Sequence, residues 1–253
     1  MYIDINCDLG EIASEGNEGS DEKIMPFITS ANIACGFHAG DPLMIMKTIR
    51  TAMRYGAGIG AHPGYPDREG FGRRPFMVSP EELRALILYQ AGALKGMAEA
   101  AGARMQHVKP HGALYNAAAK DYDMALVIAQ AVKDLDSTLT LVGLSGSQLI
   151  RAAREKGLAS ASEVFADRAY NDDGTLVHRD MPGAVLHDTD TMIERAIRMI
   201  NEKVVETVNG KIIPIEADTV CIHGDNEMAA VFVSNLAETL KKRGIELKYF
   251  AKQ

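Results

Sequence analysis

The chain has 253 residues, 47% of them apolar and 24% charged, a balance that suits a folded protein with room for one large α/β unit. A formal net charge of −7, no Trp and only 6% aromatic residues argue against nucleic acid or an anionic membrane surface as partner. The start "MYIDINCDLGE" lacks the basic and apolar regions of a leader and no run reaches membrane-spanning length. Cys7, Cys35 and Cys221 form no CxxC pair, so reduced, buried thiols and a cytoplasmic location are expected.

In chain order, "YIDIN" (2–6) reads as a strand that ends in Asn6, Asp8 and Glu11. "ANIACGF" (31–37) is a second, ending in His38 and Asp41; Asp41, Pro42 and Gly56 then bracket a helix as cap, first residue and stop. "AGIGAH" (57–62) ends in His62 and runs into the turn-rich "PGYPDREGFG" with Asp67 and Arg68. Ser79, Pro80 and Glu82 beyond it have the spacing of a capping box. "MQHVK" (105–109) leads to Lys109, His111, Tyr115 and Asn116, and a helix covers 121–135. "LTLVGL" (139–144) precedes a helix over 146–156, and "SEVFAD" (162–167) ends in Asp167, Arg168 and Tyr170. A helix over 190–206, the strand "TVCIHG" (219–224) with His223, Asp225 and Asn226, and a helix over 226–243 complete the chain.

These runs show little polar alternation, as strands covered on both faces do. Strand and helix alternate about seven times, which predicts a closed or nearly closed parallel β/α barrel in one domain over 1–253, with a doubly wound open sheet as the alternative. In such a barrel all strand C-termini meet at one face, so polar groups far apart in sequence converge on one rim. Each group alone has a plain structural reading: Asp41 and Asn116 as helix caps, Asp67 and Arg68 as a surface pair. Their recurrence at the same end of nearly every strand is what points to a site.

Asp8, His38, His62, His111 and His223 suit a divalent metal such as zinc or manganese, or general acid–base work without one. Lys109, Arg68 and Arg168 suit a carboxylate or phosphate. No GxxxxGK[ST] or GxSxG occurs, and "GAGIGA" (56–61) enters a strand instead of following one. Neither a phosphate loop, a dinucleotide turn nor a nucleophile elbow is therefore expected.

"IDINCDLGE", "SANIACGFHAGDP", "IGAHPGYPDREGFGRR", "HVKPHGALYN", "EVFADRAY", "DGTLVHR" and "VCIHGDN" together resemble the LamB/YcsF family, that of the A subunits of bacterial 5-oxoprolinase, in the family's order. The resemblance implies an irregular seven-stranded β/α barrel related to polysaccharide deacetylases. It also implies ATP-dependent opening of the lactam of 5-oxoproline (pyroglutamate) to L-glutamate, with two partner subunits, B and C, that bind most of the ATP. Within that scheme Asp8 acts as base or metal-anchoring carboxylate, His62 and His111 as acid–base groups or ligands, Lys109 and Arg68 as anion clamps, and Asp167 as an orienting group. Asn6, Arg68, Tyr115, Asn116, Arg168 and His223 face the substrate. Kinship with deacetylases implies a divalent metal on Asp8, His38 and His62. Family members continue with a small or polar residue after "DLGE" where this chain has Ile12, so Asp8 is preferred to Glu11. A stand-alone metal-dependent amide or sugar hydrolase or deacetylase, and a non-catalytic binding protein within the assembly, are the alternatives.

Overall fold

The computed structural model describes residues 1–11, 20–222 and 227–250. His223, Asp225 and Asn226, and the segment from Ile12 to Gly19, lie outside the described residues. The elements run β1 (Tyr2–Leu9), α1 (Ser20–Ile24), β2 (Ser30–Ala34), α2 (Pro42–Tyr55), β3 (Gly58–His62), α3 (Pro80–Ala100), β4 (Met105–Val108), α4 (Gly112–Lys120), α5 (Tyr122–Leu135), β5 (Thr140–Leu144), α6 (Gln148–Glu155) and β6 (Ala159–Phe165). There follow α7 (Thr189–Asn201), the antiparallel pair β7 (Val204–Glu206) and β8 (Ile212–Pro214), then β9 (Thr219–Ile222), α8 (Glu227–Lys242) and β10 (Glu246–Leu247).

Seven parallel strands close a barrel in the order β1-β2-β3-β4-β5-β6-β9, and β9 returns to β1. The closed form, not the open sheet, is the fold. The seven strands are the seven apolar runs of the sequence. Local chemistry explains the helix starts. Asp41 accepts from the backbone N–H groups of Leu43 and Met44 at 2.9 and 3.0 Å, and Gly56 ends α2 at φ 72°. Ser79 and Glu82 cap α3 reciprocally.

The structure departs from expectation in several places. The helix expected over 190–206 stops at Asn201: Lys203 turns to φ 55°, and the β-branched Val204 and Val205 enter β7. Helix α4 was not foreseen, although the run Ala117, Ala118 and Ala119 favours helix. The barrel strands also alternate more than expected. Along β1, Ile3, Ile5, Cys7 and Leu9 join the apolar core, while Asp4, Asn6 and Asp8 bond across the lumen.

That lumen is a polar network. Asn6 Nδ2 donates to Thr219 Oγ1 at 2.6 Å, and Asn32 Nδ2 donates to Asn6 Oδ1 at 2.7 Å and Asp8 Oδ1 at 2.8 Å. Ser30 donates to Asp4 at 2.6 Å, and His107 Nε2 lies 2.8 Å from Asn32 Oδ1. Buried polar groups are tolerated when they satisfy one another in this way. The C-terminal segment closes the other end: β10 pairs with the start of β1, and the Tyr249 hydroxyl sits 3.2 Å from His107 Nδ1. Between β6 and α7 the chain doubles back on itself through antiparallel bridges from Arg168 to Val185 and from Tyr170 to Leu176. Among the described residues no helix is long and apolar enough to cross a membrane, and the three cysteines are free and buried.

Candidate active site

Strand β3 delivers His62 to the C-terminal mouth, and the turn after β4 delivers His111. His62 Nδ1 lies 2.7 Å from the Lys109 carbonyl oxygen. A carbonyl only accepts, so Nδ1 carries the proton and Nε2 is left with a lone pair. His111 Nε2 lies 2.8 Å from the Phe71 carbonyl oxygen, so by the same argument its Nδ1 carries the lone pair. Those two lone-pair nitrogens face each other at 2.9 Å. Two acceptors this close require a proton or a cation between them. Backbone carbonyls that fix the outer N–H of each imidazole are also what orients metal-binding histidines.

The acids complete the group. His62 Nε2 is 3.2 Å from Asp8 Oδ2. Glu11 Oε1 is 3.1 Å from His38 Nε2, 3.4 Å from His111 Nδ1 and 3.7 Å from His62 Nε2. One ligand atom each from Glu11, His38, His62 and His111 falls within a 4.8 Å cluster. The His38 ring stacks on that of His111 with centroids 3.8 Å apart and planes 4° from parallel. Burial, then the neighbouring His62, lowers the His38 pKa to about 3; burial, His62 and His38 hold that of His111 well below the usual value. Imidazoles kept neutral beside a carboxylate are in the form that binds a divalent metal, and this donor set fits one.

The loop after β3 explains its composition by what it covers. A Cβ on Gly64 would stand 2.6 Å from His38 Nδ1. One on Gly72, which also has φ +62°, would stand 2.8 Å from His38 Cβ and 2.9 Å from His111 Cδ2. Asp67 staples the loop: it accepts from the Gly70 N–H at 3.0 Å and from Arg74 Nε at 2.9 Å.

Beneath the histidines lies Lys109. Its Nζ is 2.8 Å from Glu163 Oε1, 3.0 Å from Asp8 Oδ1, 3.1 Å from Asn6 Oδ1 and 3.1 Å from Cys221 Sγ. Burial opposes its charge, but Asp8, Cys221 and Glu163 together hold its pKa well above the usual lysine value. Burial and then Glu163 push the Tyr115 hydroxyl up.

A cavity of about 440 Å³ opens on this group, lined by Asp8, Glu11, His62, Lys109 and His111 and by Arg73, Tyr115, Asn116, Arg168 and Arg179. A larger hollow of about 690 Å³ lies between α7 and β7, but it is lined by no histidine, and its ions pair with one another, Arg198 with Glu202 at 3.0 Å among them. Of the residues singled out in the sequence, Asp8, His62, Lys109 and His111 come together, and Tyr115, Asn116 and Arg168 share their cavity. His38 stacks behind His111. Asn6 sits deeper, engaged by Thr219, Asn32 and Lys109, and does not line the cavity. Arg68 does not line it either: its guanidinium donates to the carbonyl oxygens of Gly36 and Gly40. Asp167 stands at the end of β6 off the cavity wall, its carbonyl accepting from the Leu186 N–H at 2.8 Å. Asp41 is a helix cap. Glu11 was ranked below Asp8, and Glu163, Arg73 and Arg179 were passed over. The alternation in "IDINCDL" and the lone acid in "SASEVF" were the available signals for lumen-facing groups; the two arginines left none.

Fold and cluster together define a β/α barrel with a histidine–carboxylate centre in its mouth. The chain belongs to the LamB/YcsF family, whose model matches residues 3–253. It is 52% identical over 251 residues to the 5-oxoprolinase A subunit of Geobacillus thermodenitrificans, covering 99% of this chain and 98% of that one. It is 51% identical over 248 residues to the 5-oxoprolinase A subunit of Alkaliphilus metalliredigens, covering 98% and 97%. Among solved structures, the Lactam Utilization Protein from Thermus thermophilus matches with a TM-score of 0.91 at 43% identity, over 98% of this chain and 99% of that one.

Proposed function

We propose that this chain opens the ring in an ATP-dependent 5-oxoprolinase that converts 5-oxoproline to L-glutamate together with partner subunits B and C. The names of its relatives support the reaction and the assembly. The observation that carries the reading is the pair of facing lone pairs on His62 Nε2 and His111 Nδ1, flanked by Asp8 and Glu11 in one cavity.

The lactam amide is resonance-stabilised, so water attacks its carbonyl carbon poorly. ATP turnover on the partners phosphorylates the amide oxygen and makes that carbon electrophilic. Ring opening then needs a base for water, a proton for the leaving nitrogen and positive potential for the developing negative charge. Proton work by Asp8 is supported by its contacts: Asn32 and Lys109 hold Oδ1, and Oδ2 lies 3.2 Å from His62 Nε2 in the cavity wall. Asp8 takes the proton from water as the new C–O bond forms and passes it to the ring nitrogen; as the C–N bond breaks, the proton of the new hydroxyl goes to the leaving nitrogen, and a second water hydrolyses the resulting acyl phosphate to L-glutamate and inorganic phosphate. Lys109 supplies the positive potential beneath. Glu11, His38, His62 and His111 would hold a divalent cation, which when bound supplies Lewis acidity.

The test adds this chain to its partner subunits with ATP and 5-oxoproline and follows glutamate. Glutamate appears only when the chain is present; the same rate without it refutes the proposal. The metal-fit cluster favours one second reading, a stand-alone metal-dependent hydrolase, which would act without ATP or partners and stop on chelation.

A further inference from the structure

Gly58, Gly60 and His62 alternate along β3 and so share its lumen side. A Cβ on Gly60 would overlap the His107 imidazole, and one on Gly58 would stand 2.7 Å from the Tyr249 ring. Glycine weakens a strand, and a barrel built for stability alone fills its interior with branched apolar side chains. Here two side chains are given up, and the rings of His107 and Tyr249 take the space, with centroids 5.8 Å apart. The glycines of "GAGIGA" thus make room for a buried imidazole and for a tyrosine from the C-terminal segment.

The hydrogen bonds that start there all run one way. Burial, then the Lys109 charge, lowers the His107 pKa to about 3, so the ring is neutral and carries a single N–H. The Asp8 carboxylate only accepts, so the Asn32 atom 2.8 Å from its Oδ1 is the amide nitrogen, which also donates to Asn6 Oδ1 at 2.7 Å. That turns Asn32 Oδ1 to His107 Nε2, 2.8 Å away, and an amide oxygen only accepts, so Nε2 carries the proton. Nδ1 then holds a lone pair, and the Tyr249 hydroxyl donates to it at 3.2 Å. A directed chain therefore runs from Tyr249 through the fully buried His107 and Asn32 to Asp8. Lys109 Nζ holds the same Asp8 Oδ1 at 3.0 Å, and Oδ2 lies 3.2 Å from His62 Nε2.

We propose that Asn32 is a positioning residue for Asp8, held in one amide orientation by His107 and, from the C-terminal segment, by Tyr249. Two donors on one oxygen stop the carboxylate from turning about its own axis, so Oδ2 stays beside His62. With Lys109 alone the carboxylate can pivot on a single contact. A flipped Asn32 would set its oxygen against Asp8 Oδ1 and its nitrogen against the His107 N–H, leaving buried groups without partners. The inference rests on the ring-opening reading above, in which Asp8 moves the proton; there a misplacement of about 1 Å can cost about a hundredfold.

The test follows ATP-coupled glutamate formation from 5-oxoproline by the partner subunits supplied with the wild-type chain, Asn32→Ala, Tyr249→Phe or Asp8→Asn, and with Asp8→Asn combined with each of the other two. Rates are scaled to the folded fraction, read from urea unfolding. Asn32→Ala loses about ten- to hundredfold in kcat, with KM kept within about twofold. Tyr249→Phe removes one oxygen from a half-buried ring and so keeps the fold; it loses about two- to fivefold. On the Asp8→Asn background neither change slows the residual rate further, because the group they position is already gone. A merely structural role would slow both backgrounds by the same factor. That equal loss, or wild-type rates for both single variants, overturns the positioning role; should Asn32→Ala fail to fold, Tyr249→Phe carries the same comparison. If Asp8→Asn is slow and the other two are not, only the positioning falls. If Asp8→Asn runs at the wild-type rate, or the wild-type assembly makes no glutamate, the ring-opening reading falls and takes the inference with it.

Discussion

Lys109→Met replaces an ammonium with an uncharged side chain of similar length at a position only 2% exposed. The ammonium lies between two carboxylates, 3.0 Å from Asp8 and 2.8 Å from the fully buried Glu163. Its removal leaves two acids in the lumen without their shared counter-ion. Breaking a buried pair in this way costs about 3–5 kcal/mol, because the remaining charge keeps its desolvation penalty. At about 2.1 cal/mol/K per residue of unfolding entropy, a loss of that size lowers the melting temperature of a chain this long by roughly 6–10 °C. Urea unfolding at pH 7 measures the free energy directly. Glu163→Gln alone also destabilises, but in the double variant Lys109→Met/Glu163→Gln the losses do not add, since the second change removes one of the orphaned acids. A loss below about 1 kcal/mol for Lys109→Met, or strict additivity in the double variant, would refute the picture of Lys109 as the charge that organises the lumen.

His62→Ala and His111→Ala should each abolish stoichiometric binding of a divalent metal, whereas Asp8→Asn, outside the four-residue cluster, should retain it; elemental analysis of the purified proteins reads this without any assay of activity. Gly72→Ala should cost about 1–3 kcal/mol, from a side chain at positive φ and from contacts with His38 and His111, and should weaken metal binding through the displaced rings. Buried His107, whose pKa burial lowers from 6.5 to about 3, is neutral in the fold and protonated when unfolded between those values. It therefore contributes stability that is complete above about pH 6.5 and is lost as pH falls toward 3, with a slope of up to about 1.4 kcal/mol per pH unit. His107→Gln should flatten the acid limb of the stability curve by that amount, and urea melts at pH 4, 5 and 6 showing an unchanged slope would contradict the assignment.

Much of the frame was legible because it is written in local chemistry. Asp41, Pro42 and Gly56 bound α2, Ser79 and Glu82 start α3, and short apolar runs between such signals can only be strands. That polar residues at strand ends meet follows from parallel closure, and Asp8, His62, Lys109 and His111 do meet. The lumen was misread because the eye credits Ile3, Ile5 and Leu9 and passes over the acids and amide between them. Period two was present, but it marked an interior and not a solvent face. Glu11 was ranked below Asp8 because Ile12 departs from the family's pattern after "DLGE", but the path of the chain after β1 brings Glu11 onto three histidines. Arg73 and Arg179 were invisible because loop arginines join a cavity wall only when loops from β3 and β6 reach the same cavity.

The sharpest measurement is the rate of ATP-coupled glutamate formation from 5-oxoproline by the partner subunits supplied with folded Asp8→Asn chain in place of the wild type. The account predicts a fall of about a hundredfold or more, since the group that moves the proton is lost while the cluster stays intact. A rate equal to that of the wild type would contradict it.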